Sequence, residues 1–503
     1  MLYTPVYSDA RKLEQSVEYD LPDYIPDIRR VLGCEAFADV KNEYRSDGVI
    51  RYDGDVVYSV TLLGEDDSIS NINIAGGFEG ETVYDTGEIM LDFDVEDISV
   101  RAVDMRKLQC RSRVAVTSVS EVYTETDMSP EHTADGIYLE VLRNVVNTAR
   151  TATLRTDEII LSEDIELDVS YPEIARIVYC KCTPCISECR VSGGGVSVHG
   201  ELTSEILYAD ASGNYRCVTK KSRLSENLQS DELSADWACC ASMRVSEINV
   251  QSATNSFGEE KIVELDVVYN VTVNCASNEE VSVISDVYSP EVYIEAIMKN
   301  IPAAVYEGCI GGNFTFTGSK TYSEVSLSPE SEIVCTHAFL RTGRILRAEN
   351  GKLVCTGEIV YDLIVTEEDH KAGVRCTFPV KYETSLDPGS DAYRVNPELS
   401  LISYKAKKDG TGLSFEAEIG VCGLVTVMKN YEIVCGVKVS GERAENGSSV
   451  TLFYPDGQSL WEIAKESGVP ASDILEANDA TETDILAKRV ILIPHSKRKK
   501  EDD

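Results

Sequence analysis

The sequence predicts a mainly β chain: three tandem β-sandwich-like repeats joined by short helices, then a small β-α-α-β module. Three observations carry this. Val263 to Asn274 alternates apolar and mostly polar side chains with many β-branched residues, the period-2 signature of a half-buried strand. A glycine followed by an acid recurs in matching surroundings at Gly54-Asp55, Gly200-Glu201 and Gly357-Glu358. From Val450 onward the alternation gives way to helical spacing between two short apolar runs.

The repeats come first along the chain. A second landmark tests their register: Pro26-Asp27-Ile28 matches Pro172-Glu173-Ile174, and Pro329-Glu330 follows at the spacing set by the glycines. Two landmarks that share both offsets predict three copies, over residues 1–150, 151–300 and 301–446. Phe415 to Val421 repeats the strand alternation in the third copy, and Asp47-Gly48, Ser212-Gly213-Asn214 and Asp409-Gly410 are turn signals. Many short strands with such turns favour sandwiches or barrels. Inside a strand, Gly54, Gly200 and Gly357 fit a bulge or a close backbone approach. Between copies, Ser129-Pro130-Glu131 and Ser289-Pro290-Glu291 read as helix starts, with Ser as N-cap and Pro at the first helical position. Short connecting helices are expected over Ile137 to Ala149 and Val292 to Lys299.

The last module spans residues 447–496, ahead of a charged tail at 497–503. Val450 to Tyr454 reads as a strand and Pro455-Asp456-Gly457-Gln458 as a turn. Ser459-Leu460-Trp461-Glu462 is a capping box, in which the serine hydroxyl and the glutamate carboxylate satisfy reciprocal backbone donors. A second helix can start at Ser472-Asp473, and Val490 to Pro494 closes as a strand. Trp461, Ile463, Ala464, Ile474, Leu475, Ile491 and Ile493 are the expected core, with Trp461 its aromatic centre.

Composition narrows the function. The chain has 503 residues, with 47 Lys and Arg against 86 Asp and Glu, a formal net charge of −39. Such a polyanion is repelled by nucleic-acid phosphates and by anionic lipid. The one basic run, Lys497 to Lys500, precedes Glu501-Asp502-Asp503 and reads as a solvated tail. The N-terminus has no signal-peptide pattern, and no apolar run is long enough for a transmembrane segment, so a cytoplasmic protein is expected. There the 16 cysteines stay reduced, and most act as small buried hydrophobes. Cys180, Cys182, Cys185 and Cys189 form the one dense group. No second ligand pair accompanies them, so a structural role is expected, with no metal and no cofactor. The five histidines are scattered. No nucleophile elbow, phosphate loop or zinc-protease motif occurs, and no catalytic residue is assigned.

The module resembles the LysM domain through Gly457 to Ala464, Ile474 to Asn478 and Ile491 to Pro494. That resemblance implies a shallow groove for N-acetylglucosamine polymers such as peptidoglycan. Its walls would be Asp456, Gly457, Gln458, Ser459 and Leu460 on one side, and Asn478, Asp479 and Ile485 on the other. Gln458 stands where an acid is usual, and Lys488-Arg489 replaces the usual Gly-Gln, so these cations join the candidate site and a protein partner stays open beside the glycan. Three repeats plus one LysM are similar to the SipL-like family of spore-coat morphogenetic proteins with SPOCS repeats. The resemblance implies a non-enzymatic scaffold in the mother-cell cytoplasm, at the forespore surface and spore coat. Its LysM end would contact SpoIVA (stage IV sporulation protein A), a coat ATPase, and other coat proteins would be partners. The alternative is a peptidoglycan-binding protein whose repeats act as a stalk.

Overall fold

A computed structural model describes the chain apart from residues 8–10, 85–87, 125–135, 348–349, 368–369, 391, 396, 444–448, 456, 487–488 and 496–503. The charged tail and the helix start expected at Ser129-Pro130-Glu131 lie outside the described residues.

Three units follow one route: an opening edge, a three-stranded meander, and returning strands that pair with the opening edge. Unit 1 comprises β1 (Leu2–Tyr7), β2 (Arg11–Asp20), β3 (Ile28–Ser46), β4 (Val49–Gly64), β5 (Ile69–Val83), β6 (Glu88–Ala102) and β7 (Lys107–Thr124). Strands β3-β4-β5 form one sheet, and β1, β2 and β6 all pair with β7 in the other. Unit 2 repeats this with β8 (Glu140–Arg155), β9 (Ile159–Glu166), β10 (Ile174–Ser192), β11 (Gly195–Asp210), β12 (Tyr215–Gln229), β13 (Ala238–Thr254) and β14 (Glu260–Tyr288). In unit 3 the opening segments fuse into β15 (Val292–Thr321). After α1 (Tyr322–Val325) come β16 (Glu332–Arg347), β17 (Leu353–Glu367), β18 (His370–Glu383), β19 (Tyr393–Val395), β20 (Glu398–Asp409) and β21 (Gly412–Glu442).

The chain is therefore mainly β, and each unit is a two-sheet sandwich. Alternation along the strands turns one face of each sheet inward. Val56 and Tyr58 of β4 meet Leu108 and Val114 of β7. Leu202 and Tyr208 meet Leu265 and Val267 in unit 2, and Ile359 and Tyr361 meet Phe415 and Ile419 in unit 3. The turn Asp47-Gly48, with φ of 49° and 75°, joins β3 to β4 as a two-residue hairpin.

The recurring glycine has a steric reason. A Cβ on Gly54 would lie 2.2 Å from the carbonyl oxygen of Asp39, one on Gly200 2.6 Å from that of Cys185, and one on Gly357 2.8 Å from that of Arg341. Each sits beside a register shift in the neighbouring strand, at Val40/Asn42, Ile186/Glu188 and Thr342/Ile345. Only a residue without a side chain lets the bulged strand come this close.

Two expectations need correction. Ile137 to Ala149 and Val292 to Lys299 are not helical: the first runs into β8 and the second opens β15. Both strands pair along their length, β8 with β14 and β15 with β21, and these ladders override the local helix signal. Ser289 does not cap a helix, since its hydroxyl donates to the Tyr138 carbonyl (2.7 Å). The limits at 150 and 300 likewise fall within strands, because the landmarks mark the meanders and not the opening edges.

The units close on one another edge to edge: β5 lies against β10, β12 against β16 and β18 against β3. Side chains reach across to the edge backbone. Ile69 N–H donates to the Tyr215 hydroxyl (2.7 Å), Arg176 to the Ile69 carbonyl (2.9 Å) and Arg375 to the Cys34 carbonyl (3.0 Å). Leu32 and Leu63, Val178 and Leu207, and Cys335 and Ile364 form a core shared by all three meanders. On the opposite sheets, Tyr3 of β1, Ala149 of β8 and Ala304 of β15 meet in the same way.

At the centre of the meander contacts sits a buried charge cluster. Glu35 pairs in register with Ser59, Lys181 with Glu205 and His337 with Asp362, so the three residues occupy one equivalent position of the three units. His337 Nε2 lies 3.1 Å from Glu35 and its Nδ1 2.7 Å from Glu205, while Lys181 Nζ contacts the same Glu35 carboxylate. His337 is 3% exposed, Glu205 5% and Lys181 9%, so the four charges have largely one another for solvation. Burial alone would pull His337 down, but the Glu35 carboxylate holds it up at about 9. Burial would likewise raise Glu35, yet His337 and Lys181 keep it well below the usual carboxylate range.

Stability should follow these shifts. The contribution of protonated His337 is complete below its ordinary value of 6.5 and fades as pH rises through about 9. That of Glu35 is complete above its ordinary 4.5 and fades as pH falls below it. Urea unfolding of the full chain should therefore show greatest resistance between these limits, and His337→Asn should flatten the alkaline limb. Lys181→Ala, which leaves His337 as the one cation of the cluster against two carboxylates, should cost about 3–5 kcal/mol.

Candidate functional site

The C-terminal module is built from β22 (Val450–Phe453), α2 (Leu460–Ser467), α3 (Ala471–Asn478), α4 (Glu482–Leu486) and β23 (Ile491–Pro494), with β22 antiparallel to β23. The capping box starts α2: Glu462 N–H donates to Ser459 Oγ (3.2 Å), and Ser459 N–H donates to the Glu462 carboxylate (2.7 Å). Gly468, at φ 67°, stops the helix in the left-handed conformation that glycine accepts readily. α3 begins at Ala471, just ahead of the expected Ser472-Asp473, and the single turn α4 adds a helix to the expected pair.

Ile463, Ala464, Ile474, Ile491 and Ile493 are buried together, and Leu475 packs against them partly buried. Leu460 and Ile485, expected on the groove walls, are 4% and 1% exposed and belong to this core. Both are apolar residues at the inward positions of short amphipathic helices, which outweighs their place next to the loops. Among the remaining wall residues, Ser459 is committed to its cap. Asn478 is a clamp: its amide donates to the carbonyls of Ile474 (2.8 Å) and Leu492 (2.7 Å), and its Oδ1 accepts from Leu492 N–H (2.9 Å). Gln458 bonds Glu466 (3.1 Å). Gly457, Asp479 and Arg489 are exposed, and Asp456 and Lys488 lie outside the described residues.

Trp461 has a role that module-level reasoning missed. It is only partly buried against the module's core, and its indole packs edge-on against Tyr288 of β14 with ring centroids 4.9 Å apart. Its Nε1–H donates to Asp286 (2.9 Å), and Lys465 Nζ bonds both oxygens of that carboxylate at 2.6 and 2.7 Å. The Tyr288 hydroxyl donates to the Val469 carbonyl (2.9 Å), and at 2% exposure Tyr288 is part of the module's own core. Trp461 is thus an anchor between module and unit 2. Burial would raise the Asp286 carboxyl, but the hydrogen bonds from Lys465 and Trp461 keep it below its ordinary value. A polar handle on a large apolar ring suits such a seam. The one sequence signal was the spacing of Trp461 and Lys465, one helical turn apart on α2.

The cysteine group of β10 is dispersed by its strand. Cys180 and Cys182 share a face with sulfurs 3.9 Å apart, whereas Cys189 turns to Cys239 of β13 at 3.1 Å. Among the described residues no three His, Cys, Asp or Glu side chains converge as a metal site. No helix among them is long and apolar enough to cross a membrane.

Comparison with known proteins gives two matches. Residues 173–252 match the family described as SipL, SPOCS domain, and residues 456–494 match the LysM domain. The SPOCS match covers the meander of unit 2 and most of β13, one match where the repeats led to an expectation of three. No curated protein and no solved structure matches the chain. A SPOCS domain and a C-terminal LysM domain in one chain are the SipL-like combination, and they fit a sporulation-associated protein with a peptidoglycan-binding type of module.

The anchor is testable. Asp286→Ala removes a charge-assisted pair that should contribute about 1–3 kcal/mol to docking. Acrylamide quenching of tryptophan fluorescence should then rise, because Trp461 loses its cover while Trp237, 6% exposed in unit 2, keeps its own.

Proposed function

We propose that this protein is a non-enzymatic scaffold of spore-coat assembly, linking a SpoIVA-like basement layer on the forespore surface to further coat proteins through its LysM module. The observation that carries the reading is the orientation of the module. Its Trp461–Lys465 face is spent on unit 2, while the loop surface at Gly457, Asp479 and Arg489 stays exposed. A module fixed on a large multi-unit body offers a partner a defined direction, which suits assembly of a layer. The SPOCS match supports the sporulation setting, and both matched families are binding domains, so no catalytic residue is assigned.

The glycan reading is the alternative, in which the repeats are a stalk and the same loops hold N-acetylglucosamine polymer. What favours protein is the chemistry of the module: the side chains of Ser459 and Asn478 are engaged internally, the exposed Arg489 is a cation in an otherwise acidic module, and Lys488 precedes it in the sequence. Such cations pair with a partner's carboxylates.

The full chain should capture purified SpoIVA and should not sediment with insoluble peptidoglycan. Charge reversal at both Lys488 and Arg489 should weaken capture at least several-fold at low salt, where such pairs are strongest, with the circular dichroism unchanged. Sedimentation without SpoIVA capture would establish the glycan reading, and unchanged affinity of the double reversal would move the contact elsewhere on the module.

A further inference from the structure

Strands β12 and β16 meet at the junction of units 2 and 3, and each brings a cysteine to it. Cys217 Sγ and Cys335 Sγ are 2.7 Å apart, closer than unbonded sulfurs settle and only a small movement from the S–S bond length of about 2.05 Å. Both are free thiols. The Tyr179 hydroxyl donates to Cys335 Sγ (3.4 Å) and holds that sulfur at the seam. Cys335 is buried and Cys217 half-buried, so Cys217 is the more accessible of the two.

This pairing belongs to one junction. Following the strand registers, the positions equivalent to Cys217 and Cys335 are Asn71 and Tyr179 where unit 1 meets unit 2, and Gly373 and Gly33 where unit 3 meets unit 1. Neither of those pairs can be cross-linked. The thiols are also far apart in sequence, so a bond between them would constrain a long stretch of unfolded chain.

We propose that Cys217 and Cys335 form a redox-responsive pair that closes into a disulfide across units 2 and 3 when the protein meets a peroxide. The Cys217 thiol is oxidised first, to the sulfenic acid, as one molecule of hydrogen peroxide is reduced and one water leaves. The Cys335 sulfur then attacks the Cys217 sulfur, the new S–S bond forms, and the hydroxyl departs with the Cys335 proton as a second water. Two electrons pass from the thiols to the peroxide, and a thiol reductant reverses the change. The consequence is a covalent latch on one of three junctions that are otherwise held by non-covalent contacts: packing, hydrogen bonds to edge backbone and the buried charge cluster.

The test uses the full chain, treated with hydrogen peroxide or kept in reductant, then alkylated and digested without reduction. Mass spectrometry should find the peptides of Cys217 and Cys335 joined, with the loss of two hydrogen atoms, in the peroxide sample alone. Thermal unfolding should shift upward on oxidation, and Cys217→Ser, at a half-buried position, should abolish the shift while leaving the reduced melt near wild type. Alkylation of both thiols after peroxide, or a Cys189–Cys239 link in place of this one, would overturn the proposal. A shift that persists in Cys217→Ser would overturn it as well. The mass measurement on the wild-type chain stands even if the variant folds poorly.

Discussion

Three sandwiches can share one centre only if the residues at their common position suit one another, and here that position holds a carboxylate, an ammonium and an imidazole. Glu35, Lys181 and His337, joined by Glu205, balance two negative against two positive charges when His337 is protonated. Three copies of any one of these charged residues would place like charges together in a buried site, at a cost of several kcal/mol per ion. The three repeats carry different residues at this position, where like charges would be costly. The surrounding apolar contacts, from Leu32 and Leu63 to Ile364, then bury a centre that is already neutral.

The edges make the same point in backbone terms. A sheet edge exposes unpaired N–H and C=O groups, which invite pairing with another chain. In each unit the meander edges are turned toward a neighbour, and Tyr215, Arg176 and Arg375 satisfy part of the exposed backbone. Among the described residues no ladder joins the sheet of one unit to that of another, so the sheets stay separate and each unit keeps its own sandwich core. The result is a body in which each sandwich has its own core and the units also share interiors on both sets of sheets, and on it the terminal module is seated by Asp286 and Tyr288. Its loop surface is therefore held in a fixed relation to that body. The proposed scaffold role would gain from this, because freedom of the binding end would have to be lost again on assembly.

The repeats and the module were legible in the sequence because each leaves a local mark. The glycines at 54, 200 and 357 are demanded by a close approach that tolerates no Cβ, and Ser459 with Glu462 fixes a helix start through bonds three residues apart. The helices expected over Ile137 to Ala149 and Val292 to Lys299 failed for the complementary reason. Their Ser-Pro signals are local, whereas the ladders that hold β8 and β15 join them to strands more than ninety residues away. Leu460 and Ile485 show the same limit within the module: a loop-side position did not tell which way the side chain points.

By itself the sequence determined the β class, the threefold recurrence, the glycine bulges and the LysM-like helix start, since alternation, steric exclusion and capping act between near neighbours. It also held a hint of the central cluster, but the third hairpin carries one residue more than the others, so alignment on Gly357 misses His337 by one position. Only the tertiary structure decided that Glu35, Lys181, Glu205 and His337 share one buried site, that Trp461 reaches out of its own module to Asp286, and that Cys217 meets Cys335. Each of those contacts depends on how whole units rest on one another. That arrangement is settled by complementary charge and shape at their surfaces, and no spacing along the chain encodes it.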